Sequence, residues 1–399
     1  MSDAVRAAET AARDSYGRLL AYLAARTRDI GLAEDALSHA FTKALSDWPV
    51  SGVPDHPDAW LLTVARNAVI DRQRHLTRFH KDTEVPDMPA PETADALPDE
   101  RLALMMVCAH PAIARDLHTP LMLQTVLGVE ARVIAQLFMV SPAALTKRLG
   151  RAKAKVKAAG IPFSLPGPED LPARAAAIRE AIYGAYGLDW VAPGDGLGDE
   201  ALYLADLLTR LLPGDAEAAG LAALIAFGNA CAGARVVEGV LVPTDVQDVR
   251  LWDEELQFYA DRQLTRAFGL GDLGRFQIEA AIQQVHMARK DNGETDWNAL
   301  NYLYHGLIQI APSVGAQVAQ TVVTARIHGA EAGLKALTEI ELDCGHAVQT
   351  LWAARADMMS DLGDVEAACA AYDRAIDLTA EAPVIAFLHA QRAKAVARI

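Results

Sequence analysis

Residues 128–160 read GVEARVIAQLFMVSPAALTKRLGRAKAKVKAAG, a stretch that predicts two helices joined by a short turn. In the first helix, Ile134, Ala135 and Phe138 are expected to form the buried face. Ser141 and Pro142 then provide an N-cap and a first-turn proline, which are typical of a helix start. The second helix repeats apolar residues at helical spacing, which predicts one buried stripe: Leu145, Leu149, Ala152 and Val156.

The second helix also carries six cations and no acid, which we expect to face away from the buried stripe: Lys147, Arg148, Arg151, Lys153, Lys155 and Lys157. A helix of this kind fits the major groove of DNA, where its N-terminal residues reach base edges and its basic flanks contact phosphates. The preceding turn and apolar helix favour a helix-turn-helix over the alternative, which is an ordinary solvent-exposed basic helix.

A second basic helix is predicted over residues 59–80, AWLLTVARNAVIDRQRHLTRFH. Its buried stripe is expected to contain Leu62, Ala65 and Val69, together with Leu76. Basic groups beside an aromatic ring suit single-stranded or melting DNA, because exposed bases stack on the ring and phosphates are neutralised. The side chains that fit this role are Trp60, Arg66, Asn67, Arg72, Arg74, His75 and Arg78. The alternative is an amphipathic helix with a solvated polar face.

The charge of the chain is unevenly distributed. Its 399 residues include 37 Lys and Arg against 52 Asp and Glu, a formal net charge of −15. Residues 1–160 hold 20 basic and 19 acidic side chains, whereas residues 161–399 hold 17 and 33. Because the acidic part repels phosphate, any contact with nucleic acid is expected in the N-terminal part.

Composition and motifs disfavour several classes of protein. Four scattered cysteines do not suit a disulfide scaffold, and the sequence predicts neither a secretory leader nor a membrane-spanning segment. The sequence contains no GxxxxGK phosphate-binding loop, no GxGxxG that follows a predicted strand, no HExxH and no GxSxG. Cys108 and His110 lack further ligands at usable spacing, so a packed cysteine is favoured over a metal site. We therefore expect a cytoplasmic protein with no cofactor and no enzyme activity of its own.

Helical periodicity and good helix formers dominate the whole chain, which predicts an all-α fold. Two proline-rich stretches are expected to separate the helical blocks, namely HKDTEVPDMPAPETADALP (80–98) and IPFSLPGPEDLP (161–172). The first of these is also acidic. The sequence therefore predicts two small N-terminal helical blocks and a larger C-terminal helical part.

Near the C-terminus, seven residues have the spacing of the packing positions of a tetratricopeptide helix–turn–helix: Trp352, Ala356, Leu362, Gly363, Ala368, Tyr372 and Ala375. Gly329 lies 34 residues before Gly363, which is the period of that repeat. Leu334 and Thr338 occupy packing positions of this earlier, weaker copy. The alternative is an amphipathic hairpin that matches the repeat by chance.

Four N-terminal stretches match a known family: LAEDALSHAFTKALSDWP (32–49), PDAWLLTVARNAVIDRQR (57–74), LPDERLALMMVCAHPAIA (97–114) and FMVSPAALTKRLGRAKAKVKAAGIPF (138–163). Four later stretches do so as well: LTRLLPGDAEAAGLAALIAF (208–227), DVRLWDEEL (248–256), FQIEAAIQQVHMA (276–288) and TDWNALNYLYHGL (295–307). By these residues the chain resembles the extracytoplasmic-function RNA polymerase sigma factors. The resemblance is to the subgroup with a large C-terminal helical extension that carries tetratricopeptide-like repeats.

The resemblance implies four segments: sigma region 2 at 1–80, an acidic proline-rich linker at 81–98, sigma region 4 at 99–163 and the helical extension at 173–399. Region 2 would bind core RNA polymerase through the helix that holds Glu34, Asp35, Phe41 and Trp48. It would also contact the −10 promoter element through the basic helix from Trp60 to Arg78. Region 4 would read the −35 element through Ser141, Ala144, Lys147, Arg148 and Arg151, with Lys153, Lys155 and Lys157 mainly on phosphate.

The sequence departs from the family pattern at several of these positions. Ser38 and His39 replace a customary Gln-Glu pair, which removes one acid from the polymerase-binding helix. Ala144 replaces a customary Thr at the start of the recognition helix, which removes one possible base contact.

The sequence therefore predicts an all-α sigma factor that has core RNA polymerase and promoter DNA as partners. The extension is expected to regulate or assist initiation, with an unknown protein or ligand as its own partner. Two alternatives remain open. One is an interaction protein that uses the helical repeats, and the other is a transcription regulator that uses the helix-turn-helix without polymerase.

Overall fold

The structure is a computed structural model that describes residues 3–77, 99–191, 196–344 and 347–397. It confirms the predicted all-α fold, with twenty α-helices among these residues. The helices are α1 Asp3–Thr27, α2 Ile30–Ser51, α3 Pro57–Thr77, α4 Arg101–Cys108, α5 His118–Thr125, α6 Ala131–Leu137, α7 Pro142–Ala158, α8 Leu171–Val191, α9 Leu197–Leu211, α10 Ala216–Ala230, α11 Ala232–Arg235, α12 Glu254–Leu270, α13 Arg275–Met287, α14 Arg289–Asn292, α15 Trp297–Ile310, α16 Val314–His328, α17 Ala330–Cys344, α18 Gln349–Asp361, α19 Val365–Asp377 and α20 Ala382–Val396.

Short 3-10 helices span Arg115–Leu117, Thr244–Val246 and Val249–Leu251. One small hairpin departs from the all-helical expectation, because β1 Val236–Val237 pairs antiparallel with β2 Val240–Leu241. The predicted linker at 81–98 and the end of the predicted basic helix at residues 78–80 lie outside the described residues.

Helices α1 to α3 form a three-helix unit, the N-terminal bundle. Its core contains fully buried leucines such as Leu19, Leu23 and Leu37, which provide the apolar surface that drives the packing of the three helices. The carboxylate of Asp29 accepts a hydrogen bond from the backbone N–H of Leu32 (3.1 Å) and so caps α2. Helix α3 begins at Pro57, and Asp58 lies in its first turn.

Helices α4 to α7 form the second block, in which α6 and α7 are the predicted helix pair. Ile134 and Ala135 are buried as predicted. The prediction for Phe138 was wrong: α6 ends at Leu137, so Phe138 falls past the periodic part of the helix and is 36% exposed. The backbone reverses at Met139, which has a left-handed φ of 51°.

The chain divides into two compact units, an N-terminal unit of residues 1–188 and 194–204 and a C-terminal unit of residues 189–193 and 205–399. The N-terminal bundle and the second block therefore belong to one unit. Most of α8 also belongs to it, although the extension was expected to start at residue 173. The buried guanidinium of Arg174 explains this packing, since it donates a hydrogen bond to the carbonyl of Met106 in α4 (3.2 Å).

In the C-terminal unit, α10 is apolar on all sides and packs against both α12 and α13, as expected of a central buried helix. The later helices pair in sequence: α16 packs on α17, and α18 on α19. Gly329 and Gly363 form the turns of these two pairs with φ of 92° and 80°, values that favour glycine. Among the repeat positions, Ala356, Ala368, Tyr372 and Ala375 lie in one buried cluster, whereas Leu362 is exposed.

Candidate nucleic-acid interface

Helix α7 is amphipathic as predicted. Its stripe of Leu145, Leu149, Ala152 and Val156 is buried. Ser141 occupies the N-cap position and Pro142 the first turn, although the Ser141 hydroxyl makes no capping hydrogen bond. Both Ser141 and Ala144 are exposed at the start of the helix, where a helix lying in the major groove meets base edges.

The six cations of α7 do not form one uniform face. At about 100° per residue, Lys147 and Arg151 lie opposite the buried stripe, while Arg148 and Lys155 lie on one flank. Arg148, Arg151 and Lys155 border a shallow groove of about 290 Å³, whose floor contains Ile113 and Leu117. Lys147, Arg151 and Lys155 are exposed and have no acidic partner among the described residues. Arg148 forms an ion pair with Asp116.

Lys153 and Lys157 lie on the other flank of α7, which faces α2. The Lys153 ammonium lies 2.5 and 2.8 Å from the carboxylate oxygens of Glu34 and 2.8 Å from the side-chain oxygen of Gln124. Lys157 lies 2.7 Å from the carboxylate of Asp29. The prediction that all six cations face away was therefore wrong for Lys153, whose side chain is only 12% exposed because α2 packs beside it.

The predicted −10-binding residues lie along α3, and their side chains differ in exposure. The stripe of Leu62, Ala65 and Val69 is buried as predicted. Among the other predicted residues, the side chains of Trp60 and Arg66 are half-buried, and those of Asn67, Arg72 and Arg74 are exposed. His75 belongs to the last turn of α3, and Arg78 lies outside the described residues. Arg72 forms an exposed ion pair with Asp35 (2.9 Å), and Arg74 lies 4.0 Å from Asp71.

The four residues predicted to bind polymerase lie on α2, but they differ in accessibility. Asp35 is exposed, whereas Glu34 and Phe41 are half-buried. Trp48 is only 2% exposed, and its ring packs edge-on against Trp60 with 5.5 Å between ring centroids. The prediction that Trp48 contacts polymerase directly is therefore wrong for this structure. The ring belongs to the bundle core, because it lies between α2 and α3.

The turn between α6 and α7 exposes an apolar side chain on a strained backbone. Met139 is 93% exposed and has a φ of 51°, a conformation that is unfavourable for side chains with a Cβ by roughly 1–2 kcal/mol. We expect Met139→Gly to raise the free energy of unfolding of the N-terminal unit by about 0.5–1 kcal/mol, because the gain exceeds the extra chain entropy of glycine. Urea unfolding monitored by circular dichroism measures this change.

Met139→Ala is the matched control, since it removes the same exposed thioether but keeps the Cβ. It should leave the free energy of unfolding nearly unchanged. An equal gain in both variants would show that the exposed side chain, and not the backbone, is responsible.

The Cys108 thiol is a packed group. It is buried and lies 3.6 Å from the Thr125 hydroxyl, and burial raises its pKa to about 12. His110 accepts a hydrogen bond from the backbone N–H of Ala112 (3.0 Å). Within the described ranges, the structure contains no cluster of His, Cys, Asp and Glu suited to a metal ion. None of the helices in these ranges combines the length and apolarity needed to cross a membrane.

Two family models match the chain. Sigma-70 region 2 matches residues 12–79, which is nearly all of the N-terminal bundle. A family of unknown function, DUF6596, matches residues 174–268, which begin in α8 and end in α12.

Two relatives extend these matches. An uncharacterized protein of Rhizobium meliloti, R00370, is 34% identical over 398 residues, covering 94% of this chain and 92% of the relative. A probable RNA polymerase sigma factor of Xanthomonas campestris, RfaY, is 29% identical over 163 residues, covering 36% of this chain and 40% of the relative. No solved structure gives a significant match.

The chain thus contains a sigma-70 region 2 domain in its N-terminal bundle and is homologous over part of its length to an RNA polymerase sigma factor. It belongs to the same family as the Rhizobium meliloti protein, and the region that DUF6596 matches is consistent with a large extension that follows an extracytoplasmic-function-like sigma part.

Several residues that shape the interface were not predicted from the sequence. Three cations of α7 bind side chains that are distant along the chain, namely Asp29, Gln124 and Asp116. Local periodicity carries no signal for such pairs, because they depend on how the helices pack together.

Proposed function

We propose that this chain binds core RNA polymerase and directs it to a specific class of promoters. The observation that carries the proposal is that one compact unit contains both a sigma region 2 bundle and a separate helix pair with exposed cations. Sigma factors act through the polymerase that they bind, so the chain would not be an enzyme by itself. It would act in the cytoplasm, where polymerase and promoter DNA are found.

In this proposal the second block is sigma region 4, and α7 reads the −35 element. Ser141, Ala144, Lys147, Arg148 and Arg151 would approach base edges. Lys153, Lys155 and Lys157 on the flanks would contact phosphate, since the flanks of a helix in the major groove face the DNA backbone. The lack of an acidic partner for Lys147, Arg151 and Lys155 among the described residues supports this assignment.

Region 2 would contribute both polymerase and DNA contacts. The exposed or half-buried residues of α2, namely Glu34, Asp35 and Phe41, remain the polymerase-binding candidates. On α3, the half-buried ring of Trp60 would offer a stacking surface for a melted base. The DNA strand would also be contacted by the polar and basic residues Arg66, Asn67, Arg72, Arg74, His75 and Arg78.

The extension would regulate or assist initiation. Its consecutive helix pairs, α16–α17 and α18–α19, support the assignment of tetratricopeptide-like repeats. Repeats of this type present extended concave surfaces to partners, so an unknown protein or ligand is proposed as the partner of the extension.

The test is transcription in vitro with purified core polymerase from the host on a pooled library of promoter fragments. We expect transcripts from a sequence-related subset of fragments, and only when the chain is present. If no transcripts form and the chain does not co-elute with core polymerase, the proposal is wrong and an interaction protein becomes the better interpretation. Specific duplex binding without polymerase would instead favour a stand-alone regulator.

In the same assay, Arg148→Ala should relax discrimination at one or two −35 positions by about 1–3 kcal/mol, because a guanidinium that bonds a base edge supplies that much selectivity. The measurement is the ratio of transcripts from matched templates that differ at single −35 positions. Arg250→Ala is the control, since Arg250 is exposed and pairs only locally with Asp248. An equal loss on every template would refute a base contact for Arg148.

A further inference from the structure

Helices α18 and α19 form a hairpin with an open groove along one side. The two helices are joined by a short turn at Gly363, so they run antiparallel. The groove between them has a volume of about 570 Å³. Among the described residues, α18 lines it with Trp352, Arg355 and Met359, and α19 lines it with three alanines and Arg374. The lining is therefore mostly apolar and includes two cations.

The two cations lie toward the same end of this groove. The groove residues of α18 have the spacing i, i+3 and i+7 from Trp352 to Met359, which places them on one face over two helical turns, about 10 Å. On α19, Ala367 and Arg374 bound a stretch of the same length. Because the helices are antiparallel, the start of the α18 stretch lies beside the end of the α19 stretch. Arg355 and Arg374 therefore lie toward one end, and Met359 and Ala367 form the apolar end.

The two guanidinium groups have different surroundings. Arg355 is half-buried, lies over the ring of Trp352 with 5.3 Å to the ring centroid, and forms an ion pair with Glu341. Its Nε has no hydrogen-bond partner in the described part of the chain. Arg374 is exposed and has no acidic partner among the described residues. Glu341 and Trp352 thus hold Arg355 in place, and Arg374 supplies a charge that is not neutralised.

The charge of the groove is opposite to that of its surroundings. Residues 161–399 hold 17 basic and 33 acidic side chains, so an acidic ligand is repelled by most of the C-terminal part of the chain. The described residues that line the groove include no acid. An acidic group is therefore attracted to the end with Arg355 and Arg374 more than to the surface around it. This charge complementarity indicates an anionic group as the occupant of that end.

The shape of the groove fits a segment of a protein better than a small molecule. Sites for small molecules bury most of the ligand surface, whereas this groove is open along one side. A peptide segment presents side chains at regular spacing to a groove of this kind, and the open side leaves room for the rest of the partner. The expected occupant is therefore a segment with an acidic and an apolar side chain about 5–10 Å apart, which is one to two helical turns.

We propose that the groove between α18 and α19 binds an acidic segment of a partner protein. A carboxylate of the segment pairs with Arg374 and Arg355, since guanidinium and carboxylate groups form charge-assisted hydrogen bonds. An apolar side chain of the segment packs at the other end, against Met359 and Ala367. The inference rests on the proposed function, because it states the chemistry of the partner that is proposed for the extension.

The test uses the full-length chain and a defined probe. The probe is a fluorescein-labelled twelve-residue peptide that repeats Glu-Ala-Ala-Leu, which places a carboxylate and a leucine side chain about one helical turn apart. The comparison peptide carries Gln in place of each Glu. Fluorescence anisotropy measures the affinity of the chain for each peptide. We expect the Glu peptide to bind at least about tenfold more tightly than the Gln peptide, because charge-assisted hydrogen bonds are the stronger ones, and to lose affinity as the salt concentration rises.

Three variants locate the bound peptide. Arg374→Glu reverses the free charge of the groove, and Ala370→Leu fills its apolar floor without a change of charge. Lys335→Glu reverses a charge at an exposed residue of α17 outside the described lining of the groove, and it is the matched control. We expect Arg374→Glu and Ala370→Leu to weaken binding of the Glu peptide at least about fivefold, and Lys335→Glu to stay within about twofold of the wild type. All three residues are exposed, and circular dichroism verifies that each variant is folded.

Equal affinity for the Glu and Gln peptides, or an equal loss of affinity in Arg374→Glu and Lys335→Glu, would overturn the inference. Transcription in vitro with purified core polymerase keeps this outcome separate from the proposed function, because that assay contains no partner of the extension. Transcription by a chain that does not bind the Glu peptide selectively would contradict the inference alone. Selective peptide binding by a chain that does not support transcription would instead contradict the proposed function.

Discussion

Replacing Lys147, Arg148 and Arg151 together with alanine should reduce promoter-dependent transcription at least a hundredfold. These side chains occupy the exposed face and one flank of α7, and each of them that bonds a base edge contributes about 1–3 kcal/mol of selectivity. Loss of three such contacts therefore exceeds the roughly 2.7 kcal/mol that corresponds to a hundredfold change in an equilibrium constant. The measurement is the yield of transcripts from the promoters selected by the wild-type chain.

The triple variant should still fold and bind core polymerase. Alanine is the best helix former, and the substituted side chains lie outside the buried stripe of α7. The ion pair between Arg148 and Asp116 is lost, but it is solvent-exposed and is worth less than about 1 kcal/mol. Co-elution with core polymerase in gel filtration should therefore be unchanged.

A matched control removes the same charge elsewhere. Arg250, Lys335 and Lys394 are exposed cations of the C-terminal unit, and their joint replacement with alanine should leave transcription close to the wild-type level. Equal losses in the two triple variants would indicate an effect of net charge and not of α7. Unchanged transcription in the α7 variant would remove this helix from promoter recognition.

The local features of α7 were predictable because they depend on residues a few positions apart. The buried stripe of Leu145, Leu149, Ala152 and Val156 follows from helical periodicity alone, and the structure confirms it. Phe138 fits the same period but lies just beyond the end of α6. Periodicity cannot show where a helix ends, and this is why the prediction failed at that residue.

The partner of each cation was not predictable. Glu34 and Lys153 are separated by 119 positions, and the flank of α7 that is covered depends on how α2 packs beside it. The same limit applies to Trp48, which the family resemblance assigns to the polymerase-binding surface of α2 but which is buried against Trp60. A prediction made from one helix at a time treats a residue as exposed even when a neighbouring helix buries it in the folded protein.

The boundary between the second block and the extension shows a related limit. The proline-rich stretch at 161–172 predicted a separator, yet α8 folds back and Arg174 bonds the Met106 carbonyl of α4. Proline content indicates where regular helix is interrupted, but it does not indicate whether the next helix packs on the previous block. A truncation after residue 172 would therefore leave the core of the second block uncovered.

Arg101→Leu should lower the free energy of unfolding of the N-terminal unit by about 3–5 kcal/mol, the typical effect of removing one partner from a buried ion pair. The Arg101 side chain is 8% exposed and lies 2.6 Å from the carboxylate of Asp99. It also forms an ion pair with Glu200 of α9 and lies over the ring of Tyr203, 4.6 Å from its centroid. Leucine would leave the partly buried carboxylate of Asp99 without the cation that it binds.

The pH dependence distinguishes this cause from simple loss of packing. Burial alone would raise the pKa of Asp99, but hydrogen bonds from Arg101 and its charge hold that pKa below its ordinary value. In the wild type, Asp99 thus contributes stability above the unfolded pKa of about 3.9, and this contribution is lost as the pH falls through the lower folded pKa. Without Arg101, burial raises the pKa of Asp99 in the folded state above its unfolded value. The variant therefore loses stability as the pH rises above about 4.

The difference in unfolding free energy between wild type and Arg101→Leu should therefore be largest near pH 7 and decrease toward pH 3, as measured by urea unfolding at each pH. Arg132→Leu is the control: its ion pair with Glu130 is exposed, with 3.7 Å between the groups, and its loss should change stability by less than about 1 kcal/mol at every pH. Asp99→Asn combined with Arg101→Leu should recover part of the loss at pH 7, because it removes one unpaired charge. A deficit of equal size at pH 7 and pH 3, with no recovery in the double variant, would mean that Arg101 stabilises the unit through its packing on Tyr203 and not through its charge.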